Sequence, residues 1–280
     1  MFVSLALLAA ATPAAWSVAC AGKDGWSDPA PPVRVFANVY DVGTCGITVL
    51  LITSPKGHIL IDGGPPDAAP LVVANIASLG FRLRDVKTIL SSHEHADHAG
   101  GIAELRRRSG ARVLVLAAGR ATLETGRSAN DDPQNGSLPG FAPIEIARTL
   151  RDGEVVRVGP LALTAHATPG HSPGSTSWTW RSCAGATCLN MAYADSVSAV
   201  SAASYRFSAH PAYVANFRAG MARLAAIRCD LLLTPHPSAS KMPERFAGRL
   251  PMTDPNACQA YAATGLRNLD ERLAREAVTK

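Results

Sequence analysis

Ser91-Ser92-His93-Glu94-His95-Ala96-Asp97-His98 follows directly on the short apolar run Val86–Leu90 and precedes a helical pattern over 101–108. A brief Val/Ile/Leu run bounded by polar residues reads as a buried strand, so the octet lies where a strand ends and a helix begins. Four potential metal donors, His93, His95, Asp97 and His98, fall within six residues of it. A loop leaving a rigid strand end can turn such side chains toward one point. A polar turn with capping residues is the plain alternative, but a turn needs no three histidines and an aspartate at that density.

Two further histidines stand in the same setting. His171 lies in Thr168-Pro169-Gly170-His171-Ser172-Pro173-Gly174 and His236 in Thr234-Pro235-His236-Pro237-Ser238, each directly after a strand pattern. In open αβ architectures, binding groups gather just past strand ends. Either histidine alone would read as a loop residue, and their shared position groups them with the octet. His58, His166 and His210 fall outside these motifs and read as turn or packing residues.

Working outward, β-rich runs cover 33–36, 37–42, 48–53, 58–61 and 112–116, then 154–158, 162–168, 175–181, 190–194 and 231–234. Helical spacing covers 70–79, 101–108, 214–226 and 258–275. Strands followed by helices, twice over, predict two sheets packed face to face with helices outside. Trp178 and Trp180 alternate in one strand and are expected in the core. The stretch 125–143 is irregular and rich in Asn, Asp, Pro and Gly, and loops that long are usually functional.

The chain has 280 residues, 47% hydrophobic and 18% charged, without a linker or low-complexity tract, which predicts one domain over 20–280. Net charge is +5, but the densest basic cluster is only Arg106-Arg107-Arg108, the solvated face of a helix. A nucleic-acid track would need a longer stripe, so no nucleic-acid partner is expected. Residues 2–15 are apolar and Ala-rich, and Ser17-Val18-Ala19 offers small residues for cleavage, which reads as a signal peptide over 1–19. The run is too short to span a membrane, so no stable membrane association is expected.

Six cysteines and no C-x-x-C pair suit disulfides in an exported chain, although six allow 15 pairings. Cys183 and Cys188 flank the small turn Ala184-Gly185-Ala186-Thr187. Cys229 opens a strand and Cys258 the last helix, which leaves Cys20 with Cys45. A lipidated Cys20 is the competing reading, for which Ser17 fits poorly.

The pattern His93-x-His95-x-Asp97-His98 resembles the H-x-H-x-D-H signature of the metallo-β-lactamase fold superfamily. Asp62, in Ile59-Leu60-Ile61-Asp62-Gly63, matches that family's early buried aspartate beneath the metal loop, and the likeness extends over about 26–275. Within the superfamily the chain is most similar to the third subclass of the metallo-β-lactamases. That resemblance implies a four-layer αβ/βα sandwich of two mixed sheets. It implies that one zinc is held by His93, His95 and His171, and a second by Asp97, His98 and His236. It implies hydrolysis of the amide bond of β-lactam antibiotics by a metal-bound hydroxide that Asp97 orients, with Ser196, Ser198 and Gln134 toward the substrate. The donor chemistry agrees, since imidazoles with one carboxylate suit zinc and three ligands per ion leave a position for water.

Tyr193-Ala194-Asp195-Ser196-Val197-Ser198 separates the candidates. Thioesterases of this fold, such as glyoxalase II, carry an aspartate near here that bridges both metals, and the first two lactamase subclasses carry a zinc-binding cysteine. Serines and no cysteine stand here, the third-subclass pattern. Asp195 keeps two readings, a metal bridge or a buried hydrogen-bonding residue. A thioesterase or lactonase is therefore the rival function. A nuclease of this fold would be expected to carry appended RNA-binding segments. The expected partner is a small β-lactam, the expected state a monomer, and the expected location the periplasm or the medium.

Overall fold

A computed structural model describes residues 10–278. Its first sheet contains β1 (Val33–Phe36), β2 (Val39–Asp41), β3 (Leu50–Ile52), β4 (His58–Ile61), β5 (Val86–Leu90), β6 (Arg112–Leu116) and β7 (Arg148–Leu150), side by side in chain order. The second contains β8 (Val155–Val158), β9 (Leu161–Ala167), β10 (Thr176–Ala184), β11 (Thr187–Tyr193) and β12 (Leu231–Leu233), ordered β12-β11-β10-β9-β8. Both sheets are mixed: β4 to β7 run parallel, as do β11 and β12, and the remaining pairs are antiparallel.

The two-residue period of the strands makes the layers. Leu50, Ile52, Ile59, Ile61, Leu114 and Leu116 face the second sheet and meet Leu163, Trp178, Trp180, Met191 and Leu233 in one apolar cluster. Leu51, Leu60, Val113 and Val115 point the other way, against helix residues Val72, Ile76, Ile102 and Leu105. On the far face of the second sheet, Ala192 and Leu232 pack on Phe217, Met221, Leu224 and Leu269. Four layers follow, helix on sheet on sheet on helix, as the sequence predicts. Both tryptophans lie in the core.

The helices are α1 (Pro13–Ala19), α2 (Ala69–Ser78), α3 (Ala96–Ala99), α4 (Ile102–Ser109), α5 (Arg120–Thr125), α6 (Pro211–Ala226), α7 (Met242–Phe246) and α8 (Ala257–Val278). The pattern reading missed α5, α7 and β7, each too short to show a period. The long irregular stretch is real: no helix or strand is assigned from Gly126 to Ala147.

The disulfides pair Cys20 with Cys45, Cys183 with Cys188, and Cys229 with Cys258. Of the leader expected over 1–19, residues 1–9 lie outside the described residues. Residues 10–19 are described. Within α1, Trp16 is buried in the inter-sheet cluster and meets Phe246 edge-on at 5.3 Å. Ser17 Oγ donates to the Pro243 carbonyl at 3.1 Å, and Ala11 bridges to Val33. A cut after Ala19 would remove Trp16 from this cluster. Among the described residues, no helix is long and apolar enough to cross a membrane.

Candidate metal centre

The carboxyl ends of β4, β5, β9, β11 and β12 lead into Asp62, the His93–His98 octet, His171, Asp195 and His236 respectively. Asp62 sits at φ 66°, a conformation Asp tolerates better than most residues. Its carboxylate there accepts Ser92 N at 2.6 Å, Ser92 Oγ at 2.7 Å and the Tyr193 hydroxyl at 2.8 Å. Burial pushes the Asp62 pKa up to about 7 against those hydrogen bonds. The octet then turns into α3 close beside the chain after Asp62. A Cβ on Gly63 would stand 2.6 Å from Ile102 N, and one on Gly101 2.2 Å from Gly63 O, so only glycines allow this approach.

The ring nitrogens of four histidines have legible roles. Nδ1 of His93 lies 2.7 Å from Asp195 Oδ1, and Nε2 of His95 lies 2.9 Å from Asp132 Oδ2. Nδ1 of His171 lies 3.1 Å from the Ser198 carbonyl, and Nδ1 of His236 3.2 Å from the Gly46 carbonyl. Carboxylates and carbonyls accept, so those nitrogens carry the protons. The opposite nitrogens, His93 Nε2, His95 Nδ1, His171 Nε2 and His236 Nε2, are left with lone pairs, the arrangement in which histidine binds metal.

Those lone pairs converge. Donor atoms of His93, His95 and His171 lie within 4.8 Å of one another, and so do those of His93, Asp97 and His98. Asp97 Oδ2 stands 3.1 Å from His98 Nε2 and 3.4 Å from His236 Nε2, and those two nitrogens are 3.3 Å apart. Nε2 of His93 is buried without a hydrogen-bond partner among the described residues. An orphaned buried nitrogen inside a ring of donors is costly unless a cation completes it. The residues therefore fit a metal.

The electrostatics agree at His93, His171 and Asp97, whereas at His95 burial opposes the charge but Asp132 outweighs it and raises the pKa. Burial, followed by the neighbouring imidazoles, holds the His93 and His171 pKa values well below the usual 6.5, so both rings are neutral at pH 7, as ligands must be. Burial opposes ionisation of Asp97, but His98 and His236 beside it hold its carboxyl well below the usual carboxylate range.

The remaining sequence candidates also arrive here. The Gln134 amide lies 3.3 Å from His171 Nε2 and 3.5 Å from His95 Nδ1. Ser198 Oγ lies 2.9 Å from His171 Nδ1, and Ser196 is buried beside Asp195. Asp195 is engaged behind His93. His58, His166 and His210 stay outside, against Phe81, Thr179 and Tyr205.

Three contributors escaped sequence reading. Asp132 comes from the irregular loop, and Gly46 acts through a carbonyl that no motif records. Glu94, inside the octet, accepts Ser172 Oγ and Gly174 N at 2.8 Å each, tying the octet to the His171 loop.

Comparison with known proteins supplies the kinship. Residues 42–183 match the family model described as the metallo-beta-lactamase superfamily. The chain is 52% identical to the metallo-β-lactamase MIM-1 from Novosphingobium pentaromativorans, with a TM-score of 0.92, covering 94% of this chain and 97% of that one. It is 45% identical to MEM-A1, a subclass B3 metallo-β-lactamase isolated from a soil metagenome library, with a TM-score of 0.88, covering 91% and 100%. A shorter likeness joins it to the hydroxyacylglutathione hydrolase of Rhodopseudomonas palustris strain BisA53, 34% identical over 122 residues, which is 44% of this chain and 38% of that protein. Fold, donor geometry and likeness over nearly the whole length agree: the chain belongs to the metallo-β-lactamase superfamily and, within it, to the third-subclass group.

Proposed function

We propose that the protein is a β-lactamase that binds two zinc ions, one through His93, His95 and His171 and the other through Asp97, His98 and His236. The observation that carries this reading is the proton bookkeeping on His93, His95, His171 and His236, which leaves three lone pairs converging in the first set and turns that of His236 toward Asp97 and His98 in the second. Zinc, when bound, polarises the lactam carbonyl and lowers the pKa of a water toward about 7, so that a nucleophile exists at neutral pH.

The chain supplies the rest. Asp97 stays ionised and can accept a hydrogen bond from the attacking water. Ser198 Oγ can accept from His171 Nδ1 and still has a proton to donate to the carboxylate that β-lactams carry beside the ring. Ser196 and the Gln134 amide are further donors. Hydrolysis of nitrocefin that is abolished by a chelator and restored by zinc tests the proposal, with metal analysis expected to give two zinc ions per chain. A zinc-loaded protein inert toward nitrocefin, penicillins and carbapenems would overturn it.

The shorter likeness to hydroxyacylglutathione hydrolases raises a thioesterase reading. Asp195 argues against it, because its Oδ1 is engaged with His93 Nδ1 and neither converging group of donors includes it. A hydroxyacylglutathione thioester offered alongside nitrocefin compares the two. We further propose an exported monomer, periplasmic or secreted, in keeping with three disulfides. The packing of α1 favours a leader cut ahead of Thr12, which the N-terminal mass of the exported protein would locate.

A further inference from the structure

Of the six proposed donors, His236 has the most exposed side chain, at 33%, and it lies on a loop beyond the short strand β12. His93, His95 and His98 share one buried octet, which Asp62 and Glu94 anchor from two sides. The His236 ring is fixed differently. Its Nδ1 donates to the carbonyl of Gly46, and the preceding carbonyl, of Pro235, accepts from Thr48 N at 2.8 Å. Both partners belong to the connection between β2 and β3.

That connection is held in turn by the N-terminal segment. Asp41 Oδ1 closes it from within, accepting Gly43 N at 3.0 Å and Val49 N at 3.2 Å. From outside, Cys45 N donates to Asp28 O at 2.8 Å, and Thr44 Oγ1 donates to Trp26 O at 2.8 Å. Gly46 itself lies flat on the backbone of Asp24, where a Cβ would come 2.2 Å from the carbonyl oxygen. The Cys20–Cys45 disulfide fastens the whole arrangement one residue from the carbonyl that His236 uses.

We propose that the N-terminal segment, locked by Cys20–Cys45, is a positioning device for His236, so that this disulfide sets the affinity of the second metal set and leaves the first untouched. The proposal rests on the assignment of His236 as a metal donor. A hydrogen bond that fixes a ligating imidazole is commonly worth about 10–100-fold in metal affinity. Unlocking the segment frees the Gly46 carbonyl to move and should cost on that scale.

The test titrates zinc alone into the metal-free full-length protein in competition with a chromophoric chelator. Wild type should bind two equivalents. In Cys20→Ser/Cys45→Ser, the first equivalent should stay within about threefold, while the second weakens by about tenfold or more. Gly46→Ala, which keeps the disulfide but pushes the carbonyl away from Asp24, should show the same selective loss. Cys183→Ser/Cys188→Ser, which opens the bridge at the far end of the β10–β11 hairpin, should change neither equivalent. A second readout needs no metal: the His236 ring Nδ1–H should exchange with solvent slowly in wild type and rapidly in the two site variants. Equal weakening of both equivalents, or unchanged titrations with a still-protected ring proton, overturns the positioning role. A wild type that takes up a single equivalent overturns the two-zinc reading instead, and ring exchange then decides the positioning of His236 on its own.

Discussion

Ser198 meets His171 twice at one nitrogen: its carbonyl lies 3.1 Å and its hydroxyl 2.9 Å from His171 Nδ1. The two contacts have different consequences under substitution. Ser198→Ala removes the hydroxyl and keeps the carbonyl that fixes the ring. Zinc content should therefore remain at the wild-type value, while KM for β-lactams rises. In Ser196→Ala/Ser198→Ala the rise should reach about tenfold or more, since a hydrogen bond to a charged acceptor is worth about 1.5–3 kcal/mol. Steady-state kinetics with metal analysis separate the two effects, and unchanged KM across several substrates would move the anchoring role to Gln134.

Asp132 gives a contrasting case. Its Oδ2 holds His95 Nε2, while its Oδ1 accepts Gln134 N at 2.8 Å, so one carboxylate fixes both a metal donor and the loop over it. Asp132→Ala should weaken binding of the first zinc by about 10–100-fold and raise KM as the loop loosens. Asp132→Asn, which can still accept through its amide oxygen, should fall in between. Chelator competition and limited proteolysis near Gly126–Ala147 report the two effects separately.

Glu94 is buried and, among the described residues, bonded to Ser172 and Gly174, so its contribution is expected in stability before chemistry. Glu94→Ala leaves the Gly174 N–H without its acceptor and should cost about 2–3 kcal/mol in denaturant unfolding of the metal-free protein. The same variant should retain less zinc, because the His171 loop loses its tie to the octet. Unaltered unfolding would show that another acceptor replaces the carboxylate.

A pH dependence follows from Glu276 near the end of α8. It accepts Phe207 N at 3.0 Å, Ser208 N at 2.8 Å and Arg272 Nε at 2.7 Å. Burial opposes its charge, but the Ser208 backbone and Arg272 outweigh burial and bring its pKa down from 4.5 to about 2. A carboxyl with a lower pKa folded than unfolded stabilises fully above pH 4.5 and loses that stabilisation as pH falls toward 2. Glu276→Gln should therefore cost about 2 kcal/mol at pH 7, less than the full shift implies because solvent screens part of the interaction, and the gap narrows between pH 4.5 and 2. Urea titrations of both proteins across that range would show it.

Strands such as Val113–Leu116, whose residues face two cores in alternation, were readable because burial on both faces leaves an unbroken apolar run. The donors were readable because each follows a strand pattern, largely buried before the octet, unbroken before His236 and alternating before His171. Asp132 was hidden by a loop without any period, and Gly46 because a backbone carbonyl leaves no signature in side-chain identity. Glu94 stood in plain view but reads like a fifth donor or a bystander until Gly174 is seen against it.

The 138 positions that separate His98 from His236 have a consequence for how the protein matures. The second set of donors closes only after β8 to β12 have formed and the connection after β2 has been tied back to the N-terminal segment. A nascent or truncated chain that ends before His236 can offer the octet's histidines but cannot complete the second trio. Full metal uptake thus becomes a certificate of complete folding, and a cation that binds only the finished form deepens its free-energy well by mass action. Scarcity of the ion in the surroundings would then shorten the protein's lifetime as well as silence it.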